Sequence, residues 1–442
     1  MTERSIPRGP NRMSPRSRLA ATAARAATWA SRTTGRGAGG MIGGLIALKI
    51  DPHILAGLGG GRPAAIITGT NGKSTTTRML AAAMRSAGTV ATNDGGDNMD
   101  AGVISALLAG KDADRLVIEV DELHVAHIAA DLKPEVIVML NLSRDQLDRV
   151  GEINTIERSL RAAVNNNPQA TIIANCDDPL ITAAAWDAPK VVWVAAGGGW
   201  TNDATSCPRT GGAIIHSDGD WFASEPLPDG GEFRRPTPDW TVDALGVQSP
   251  EGTVHPLSLR LPGNANRGNA TQAVAAAVAM GVPTSSAIRA VCSVDSVAGR
   301  YSTISVGEHE VRMLLAKNPA GWQEALSMVD RTADGVVIAV NGHIADGQDL
   351  SWLWDVRFED FGDIAVRASG ERATDLAVRL LYADIEHQRI ADPVEAIASC
   401  PPGRVEVLAN YTAFRDLRRA IDRDATTGNT EHAAGTAEED SK

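Results

Sequence analysis

The sequence predicts an α/β fold class, in which a mostly parallel sheet with helices on both faces is followed by a second, smaller α/β unit. Short apolar runs alternate with longer Ala-rich stretches that have helical spacing. The length of 442 residues, at roughly 100–200 residues per domain, allows two or three domains. These two observations exclude a single small module.

The first unit is predicted to contain five strands and a helix that follows the first of them. Each strand is a run of four or five mainly apolar residues, as expected where a parallel sheet is covered on both faces. A helix is expected over 74–86, directly after the first strand and a glycine-containing loop. The strands are expected at 64–67, 116–120, 136–140, 171–174 and 190–194.

A second α/β unit is predicted after Gly299. Strands are expected at 336–340 and 405–409, and helices at 375–381 and 411–421. The stretch 197–240 is rich in Gly, Pro, Asp and Ser and has little periodicity, which is typical of an insertion. The predicted organisation is a basic flexible extension (1–40), a central domain carrying the insertion (41–299), a C-terminal α/β domain (300–424) and a disordered acidic tail (425–442).

Composition narrows the class of protein. Lys and Arg number 42 against 54 Asp and Glu, a net charge of −12, which argues against nucleic-acid binding by bulk charge and favours an acidic enzyme. The four cysteines form no C-x-x-C pair and are too few for a disulfide scaffold. No run reaches the roughly 18 apolar residues of a membrane span. We therefore expect a soluble cytoplasmic protein.

The first 40 residues differ from the rest of the chain in charge. They contain eight arginines and one acid, Glu3, interleaved with Ala, Ser and Thr. Such a segment is able to contact anionic lipid headgroups, and its composition also resembles a transit peptide. A solvated basic arm is the reading that the sequence favours.

The strongest chemical signal is the segment A-A-I-I-T-G-T-N-G-K-S-T at 64–75. A buried strand, a loop with glycines at Gly69 and Gly72, and a helix start would surround a phosphate chain with backbone N–H groups. Lys73 would reach the β- and γ-phosphates, and the hydroxyl of Ser74 or Thr75 would be available to Mg²⁺. The common Walker pattern has glycine at position 67, where this chain has Ile67, so the loop is a variant.

This variant loop resembles the ATP loop of the Mur ligase and folylpolyglutamate synthase superfamily. The resemblance implies ATP binding by the loop residues Thr70, Asn71, Gly72, Lys73, Ser74 and Thr75. It also implies Mg²⁺ binding by an acid at the end of the strand V-I-E-V-D-E, with Glu119 the better candidate and Glu122 the alternative. Further segments match in the same order: L-N-L-S-R-D-Q-L-D-R-V-G at 140–151, N-C-D-D-P at 175–179, L-P-G-N-A-N-R-G-N-A at 261–270 and G-R at 299–300. By this resemblance Asn266 and Asn269 face the nucleotide base, and Arg300 faces the phosphates.

Departures from the superfamily pattern indicate the branch. Gln146 replaces a histidine, and no lysine between Arg144 and Lys190 could be the carbamylated lysine of the amino-acid-adding ligases. Three later segments resemble the MurT family, the ligase subunits of lipid II isoglutaminyl synthases: A-K-N-P-A-G at 316–321, D-G-Q-D-L-S-W-L-W-D at 346–355 and S-G-E-R-A-T-D at 369–375. The resemblance runs from about residue 35 to about residue 422.

The MurT resemblance implies a reaction and a partner. ATP phosphorylates the α-carboxylate of D-glutamate in the lipid II stem peptide, and ammonia converts the acyl phosphate to D-isoglutamine, with Lys73 and Glu119 as key residues. No cysteine of this chain is a plausible glutaminase nucleophile, because Cys176 follows a strand in a turn, Cys207 lies in the insertion, and Cys292 and Cys400 lack a nearby histidine. The resemblance implies that a GatD-type glutamine amidotransferase supplies the ammonia and that an aspartate of this chain completes its triad. Asp349 is favoured over Asp355, although an Asp in D-G-x-D commonly just caps a turn.

The insertion is expected to lack zinc. MurT proteins commonly carry a four-cysteine zinc ribbon there, and Cys207 is the one cysteine left in this insertion. Structural zinc needs four donors, which Cys207 and His216 do not supply. We expect short strands near 213–216 and 221–223, held by packing.

Two other functions remain open at this level. One is an ATP-dependent ligase of the superfamily that adds an amino acid to a carboxylate acceptor. The other is a catalytically silent subunit that keeps the ATP loop only for assembly. A lipid-linked substrate would place the protein at the inner face of the plasma membrane.

Overall fold

The computed structural model describes residues 13–33, 41–93, 96–144, 152–197, 200, 203–295, 301–359, 361 and 364–423. They belong to two compact units, the first within Met1–Ser143 and Gly151–Asp295 and the second within Arg144–Val150 and Ser296–Lys442. The division lies four residues before the boundary expected from the sequence. The tail predicted over 425–442 lies outside the described residues.

The first unit alternates strands and helices, as the sequence predicts. Its elements are α1 (Pro15–Thr33), α2 (Ile42–Ile50), α3 (Ile54–Gly59), β1 (Ala64–Thr68), α4 (Lys73–Met84), β2 (Val90–Thr92), α5 (Asp100–Ala109), β3 (Arg115–Glu119), α6 (Val125–Leu132), β4 (Val136–Met139), α7 (Glu152–Asn165), β5 (Thr171–Asn175), α8 (Pro179–Ala185), β6 (Val191–Ala195), β7 (Ile214–Ser217), β8 (Asp220–Ala223), β9 (Trp240–Val242), β10 (Val247–Gln248), β11 (Val254–His255), α9 (Asn264–Ala279) and α10 (Thr284–Cys292).

The main sheet of the first unit is mostly parallel. Within the described residues its order is β11-β10-β9-β6-β5-β4-β1-β3-β2, and only the β9-β10-β11 edge is antiparallel. The central strand β1 is buried along its whole length, and its neighbours are β4 and β3. The carboxyl ends of these three strands meet at one edge, where parallel α/β sheets bind ligands.

Helix α1 differs from the flexible extension predicted over 1–40. Ala20, Ala21 and Ala24 are buried in the core, and the Ser17 hydroxyl donates to the buried Asp51 carboxylate at 2.5 Å. Small alanines at helical spacing give a weak hydrophobic signal, and the arginines between them dominate the composition. This is why the sequence pattern missed the packed face of α1.

Helix α2 lies close to both α1 and α5. A Cβ at Gly44 would lie 1.8 Å from the carbonyl oxygen of Ala101, so no other residue fits there without a shift of the backbone. Gly43 and Ala47 are buried on the same helix. The first two helices are therefore part of the folded unit.

The insertion folds as a small hairpin. Strands β7 and β8 pair antiparallel, close to the positions predicted. Trp221 and Phe233 are buried, and their ring centroids lie 5.3 Å apart. The Trp221 indole donates to the carbonyl of Cys176 at 2.9 Å, which ties the hairpin to the main body of its unit. Cys207 belongs to this apolar cluster.

The second unit is a six-stranded sheet with helices, counted over the described residues. Its strand order is β12-β13-β17-β14-β15-β16, parallel except for the β12-β13 pair. Its elements are β12 (Tyr301–Val306), β13 (His309–Leu315), α11 (Pro319–Met328), β14 (Gly335–Ala339), two 3₁₀ turns (Ile344–Asp346 and Ser351–Trp354), β15 (Ala365–Ser369), α12 (Ala373–Tyr382), β16 (His387–Arg389), α13 (Pro393–Ala398), β17 (Gly403–Ala409) and α14, the helix over 411–423.

The predicted α/β class is confirmed. Both predicted strands of the second unit, over 336–340 and 405–409, are present as β14 and β17 within one or two residues at each end. In the described part of the chain, no helix combines the length and the apolar character that crossing a bilayer requires.

Candidate functional site

The loop between β1 and α4 has the geometry of a phosphate-binding loop. Gly72 has φ +87°, a conformation that suits glycine, and it lies directly before the first residue of α4. A Cβ at Gly72 would lie 2.6 Å from Oδ1 of Asn269 on α9, so this position also requires glycine for space. The free N–H groups of the α4 N-terminus therefore follow a tightly packed turn, where an anion is stabilised.

The segment after β4 holds this loop in place. The side-chain amide of Asn141 brackets the backbone of Asn71, accepting from its N–H at 2.9 Å and donating to its carbonyl at 3.0 Å. The Thr70 N–H donates to the Asn141 carbonyl at 2.9 Å, and the Thr70 hydroxyl donates to the Ser143 carbonyl at 3.1 Å. The loop conformation is thus fixed by contacts within the first unit.

Asp178 supports the same segment from α8. Its carboxylate caps α8 by accepting from the N–H groups of Leu180 and Ile181, and it also accepts from the Leu142 N–H at 2.7 Å. Burial raises the pKa of Asp178 to about 6, although the three backbone donors lower it. One partly buried carboxyl group therefore connects the N-C-D-D-P turn to the loop clamp.

Lys73 points back into its own loop. Its Nζ donates to the Gly69 carbonyl at 2.6 Å and lies 3.3 Å from both carboxylate oxygens of Glu122. Lys73 is 8% exposed and Glu122 is 7% exposed, so the pair is largely shielded from water. Burial raises the pKa of Glu122, and the Lys73 charge opposes that shift. The ammonium group is therefore held beside the loop with its charge balanced.

Glu119 is the second buried acid at this edge of the sheet. It ends β3, directly opposite Ile67 of β1. Asn93 brackets its backbone: its Oδ1 accepts from the Glu119 N–H and its Nδ2 donates to the Glu119 carbonyl, both at 2.8 Å. Oε1 accepts from Asn98 at 3.0 Å, whereas Oε2 is buried without a hydrogen-bond partner in the described part of the chain. An orphaned carboxylate oxygen of this kind fits a divalent cation.

The other residues that the sequence predicts to bind ATP lie on α4 and α9 or outside the described residues. Ser74 and Thr75 are buried in the first turn of α4. Asn269 reaches the loop at Gly72, but the Asn266 amide donates to the Pro262 carbonyl at 2.6 Å, at the start of its own helix. Arg300 and Gln146 lie outside the described residues. The structure thus brings Asn269 against the loop.

No zinc-type donor cluster is found in the described residues, where no three His, Cys, Asp or Glu side chains are grouped to hold a metal ion. Cys207 is 2% exposed and is packed with Ile214, Trp221 and Phe233. The aromatic rings of Trp186 and Phe233 lie 4.8 Å apart. Packing of apolar side chains holds this part of the insertion together.

The three aspartates of the segment 346–355 in the second unit have different surroundings. Asp346 accepts from the N–H of Thr412 at 2.8 Å and from its hydroxyl, so it caps α14. Asp355 is half-buried and lies 3.4 Å from Nη2 of Arg144. Asp349 is exposed, and its Oδ1 accepts from the Ser351 N–H at 2.8 Å. Hydrogen bonds from the Ser351 backbone and hydroxyl lower the pKa of Asp349, which keeps it ionised.

Asp349 lines a surface cleft of about 500 Å³. The cleft also exposes Trp354, Arg372 and Val378, which bring an aromatic, a cationic and an aliphatic side chain to its walls. The two tryptophans have different roles: Trp352 is 7% exposed and stacks on Trp322 at 5.3 Å, whereas Trp354 is 54% exposed. Trp352 is thus a core ring and Trp354 a surface ring.

Arg379 fixes the shape of this segment from α12. Its buried guanidinium donates to the carbonyls of Leu353 and Val356 and to the Glu359 carboxylate. It also lies 5.6 Å from the centre of the Trp354 ring, within cation–π range. Sequence reasoning missed Arg379 because two of these three hydrogen-bond acceptors are backbone carbonyl groups, which no side-chain pattern reveals.

Sequence reasoning also missed Asn93, Asn141 and Ser143. Asn141 and Ser143 lie within the N-L-S stretch directly after β4, and polar residues at the carboxyl end of a buried strand were the available signal. Nothing in the local sequence at Asn93 indicates that its side chain brackets Glu119, which is 26 residues away. This contact forms because β2 and β3 are neighbouring parallel strands that end at the same edge of the sheet.

Comparison with known proteins agrees with this geometry. The profile of the Mur ligase middle domain matches residues 67–277, and that of the MurT ligase C-terminal domain matches 315–414. The chain is 28% identical over 417 residues to the protein of Streptococcus pneumoniae named lipid II isoglutaminyl synthase (glutamine-hydrolyzing) subunit MurT, covering 87% of this chain and 93% of that one. The protein of the same name from Staphylococcus aureus strain COL is 26% identical over 424 residues, covering 90% and 96%.

Solved structures show the same fold at low sequence identity. A pseudomurein peptide ligase type C from Methanothermus fervidus superposes with a TM-score of 0.64 and 18% identity, covering 82% of this chain and 79% of that one. MurF from Acinetobacter baumannii gives a TM-score of 0.62 and 18% identity, covering 86% and 80%. At this identity the likeness establishes the fold alone.

Proposed function

The chain belongs to the MurT family of Mur ligases, and we propose that it is the ligase subunit of a lipid II isoglutaminyl synthase. In this reaction the α-carboxylate of D-glutamate in the lipid II stem peptide becomes an amide. The observation that carries the proposal is the buried loop at the end of β1, where Lys73 and Glu119 are both held at the carboxyl edge of the sheet. The full-length similarity to proteins of that name supports the choice of substrate.

In this proposal the loop binds the phosphates of ATP. The negatively charged phosphate groups bind to the backbone around Thr70, Asn71 and Gly72 and to the N-terminus of α4. Lys73 moves from the Gly69 carbonyl to the β- and γ-phosphates. Asn269 lies against the loop, where it would help to orient the nucleotide. Asn266 and Arg300 remain family-based candidates for the base and the phosphates.

The residues present fit Mg²⁺. The unpartnered Oε2 of Glu119 and the hydroxyl of Ser74 or Thr75 are oxygen donors of the kind that Mg²⁺ takes. Glu122 is the alternative acid, but its carboxylate is already paired with Lys73. When bound, the cation neutralises charge on the transferring phosphoryl group.

Amidation then proceeds in two steps. An oxygen of the substrate carboxylate attacks the γ-phosphorus of ATP, the bond to ADP breaks, and an acyl phosphate forms. Ammonia attacks the acyl carbon and loses a proton, inorganic phosphate leaves, and the amide remains. The role of this chain is to align the phosphates and to stabilise their charge with Lys73 and the helix N-terminus.

Ammonia is proposed to come from a separate glutaminase subunit of the GatD type. A glutaminase needs a reactive thiolate, and three of the four cysteines here are poorly suited to that role. Burial raises the pKa of the Cys176 thiol to about 12, and burial also raises the pKa of Cys400. Cys207 is enclosed in the aromatic cluster of the insertion. The relatives' name, a glutamine-hydrolyzing synthase subunit, is consistent with a partner.

We propose that Asp349 completes the catalytic triad of that partner. It is ionised, exposed and placed in a cleft that a second protein is able to enter, as an orienting aspartate requires. Asp355 is the weaker candidate because Arg144 already lies against its carboxylate. Because the substrate is anchored in a membrane, we also place the enzyme at the cytoplasmic face of the plasma membrane.

The test is amidation of lipid II by the purified chain with Mg·ATP, using ammonium in one reaction and glutamine in the other. We expect product with ammonium alone, and product with glutamine only after a GatD-type subunit is added. Mass spectrometry identifies the product by the replacement of OH by NH₂. Ligation of an amino acid to the acceptor would instead establish an amino-acid-adding ligase, and an absence of ATP turnover under all conditions would indicate a silent subunit.

A further inference from the structure

The first helix of the chain carries two outward stripes of different chemistry. Arg18, Thr22, Arg25 and Trp29 follow one another at spacings of four, three and four residues, so they lie on one line along α1, and all four are exposed. Leu19, Ala26 and Ala30 form the neighbouring line and are exposed too. Together these seven residues are called the α1 outer face below.

The opposite side of α1 is packed against the protein. Ala20 and Ala24 are fully buried, and Arg16 donates from Nε to the carbonyl of Ile50 at 2.6 Å. Packing of this side, together with the Ser17–Asp51 hydrogen bond, fixes which side of α1 is turned outward. The outer face is therefore presented in one orientation.

Large apolar side chains are unusually exposed in this region. Trp29 is 70% exposed and Leu19 is 63% exposed. Helix α2, packed next to α1, exposes Ile42 at 41% and Leu45 at 55%. Exposed apolar side chains grouped in this way mark a surface that contacts another apolar phase or partner.

The charge of the region identifies that partner. Neither α1 nor α2 contains an acidic residue. Residues 1–40 carry eight arginines and one glutamate, a net charge of +7, whereas the whole chain carries −12, so the other 402 residues carry −19. In a two-fold contact a second copy would bring its own +7 segment against this one, which is repulsive, whereas an anionic bilayer attracts this end of the chain.

We propose that the α1 outer face docks on an anionic lipid bilayer. Trp29 and Leu19 enter the interface between headgroups and acyl chains, and Arg18 and Arg25 contact the lipid phosphates, as in an interfacial amphipathic helix. The exposed Ile42 and Leu45 of α2 add apolar area beside it. This inference concerns a surface and holds whether or not the chain amidates lipid II.

The experiment measures co-sedimentation of the full chain with vesicles. One set contains phosphatidylcholine with one-quarter phosphatidylglycerol, and the other contains phosphatidylcholine only. The wild type should bind the anionic vesicles and bind more weakly as salt rises, because surface charges are screened beyond about 10 Å at 0.1 M salt. At roughly 1 kcal/mol per basic residue near the membrane, R18E/R25E should lower the partition coefficient at least about tenfold.

Two further variants separate the contributions. K111E/R289E reverses two exposed basic residues elsewhere in the first unit and should bind anionic vesicles like the wild type. W29S removes the largest exposed apolar group and should weaken binding at both low and high salt. The thermal midpoint of each variant should stay near that of the wild type, because the substituted side chains are exposed.

Binding that is indifferent to phosphatidylglycerol, or equal loss in R18E/R25E and K111E/R289E, would overturn the proposal. A self-association that R18E/R25E abolishes, without any vesicle binding by the wild type, would assign the face to a second copy of the chain. Amidation of detergent-dispersed lipid II should be unaffected in R18E/R25E, so a failed amidation assay would leave the docking result interpretable.

Discussion

The two candidate sites of this protein are built in opposite ways. In the first unit, Lys73, Glu119 and the two loop glycines are buried, and backbone and side-chain hydrogen bonds from Asn141 and Asn93 hold the loop and Glu119 in place. In the second unit, Asp349 lies on the surface, where its one described hydrogen-bonding neighbour is Ser351. The first site consists of several buried groups held by hydrogen bonds, whereas the second exposes one carboxylate at the protein surface.

This difference corresponds to two kinds of chemistry. Phosphoryl transfer requires exclusion of water and preorganised charge, which a buried loop provides. An aspartate that orients a histidine needs that histidine beside it, and the exposed cleft around Asp349 leaves space for a partner. The contrast predicts that substitutions in the first unit affect every amide donor, whereas substitution of Asp349 affects glutamine alone.

The largest expected effect comes from Asp349→Asn. We expect glutamine-dependent amidation by the complex to fall by roughly 10³–10⁴-fold, since loss of an orienting aspartate has this effect in a catalytic triad. Ammonium-dependent amidation should be unchanged. The two rates are compared in one preparation, with Asp355→Asn as the matched control; selective loss of the glutamine-dependent rate in the control would transfer the role to Asp355.

Lys73→Met should reduce both activities by about 10³-fold, because the ammonium group that stabilises the transferring phosphates is lost. Phosphate release with ammonium or glutamine as donor gives the measurement, and Lys111→Met, at an exposed lysine, is the control. The substitution also leaves Glu122 buried without its cation. The double variant K73M/E122Q should therefore recover thermal stability without activity; recovery of activity would exclude Lys73 from phosphate binding.

The two tryptophans next to Asp349 sharpen the contrast within the second unit. Trp352→Ala removes a buried stacked ring and should lower the free energy of unfolding by about 3–5 kcal/mol. Trp354→Ala, at an exposed ring, should change stability by less than about 1 kcal/mol but weaken binding of the glutaminase subunit. Urea unfolding and titration calorimetry measure the two quantities, and equal affinity of Trp354→Ala for the partner would place the interface elsewhere.

A smaller effect on stability than that of Trp352→Ala is expected from the pH dependence of Asp178. Its folded pKa of about 6 lies above the ordinary 3.8, so the folded state favours the protonated acid. This contribution to stability is fully present below about pH 3.8 and is lost as pH rises through about 6, amounting to at most about 3 kcal/mol. The thermal midpoint of the wild type should therefore fall relative to that of Asp178→Asn between pH 4 and pH 7. A constant difference between the two proteins would show that Asp178 is ionised throughout.

The sequence predicted the strands and the glycine loop before α4 well because both have local causes. Buried parallel strands are continuous apolar runs, and β1, β4 and β5 begin at the predicted residues. The loop is specified by Gly72 and the helix start at Lys73, which are adjacent in the chain. The roles of the predicted site residues remain predictions that the experiments above would test.

Helix α1 and the clamp around the loop could not be predicted in the same way. The packed side of α1 consists of alanines, whose burial depends on the close approach of α2. The bonds that join Asn141 to Asn71, and Asn93 to Glu119, span 70 and 26 residues. Each is made because two parallel strands end side by side.

The sequence by itself determined the fold class, the glycine loop and the set of candidate acids, since these depend on apolar runs, glycine positions and residue types. The tertiary structure alone decided which acid is free. In the first unit, Glu122 is paired with Lys73, whereas Glu119 keeps a carboxylate oxygen without a hydrogen-bond partner among the described residues. In the second unit, Asp355 lies beside Arg144, whereas Asp349 lines a cleft. Whether an acid pairs with a basic side chain depends on the distance between residues that are far apart in the sequence, and that distance is set only when the chain has folded.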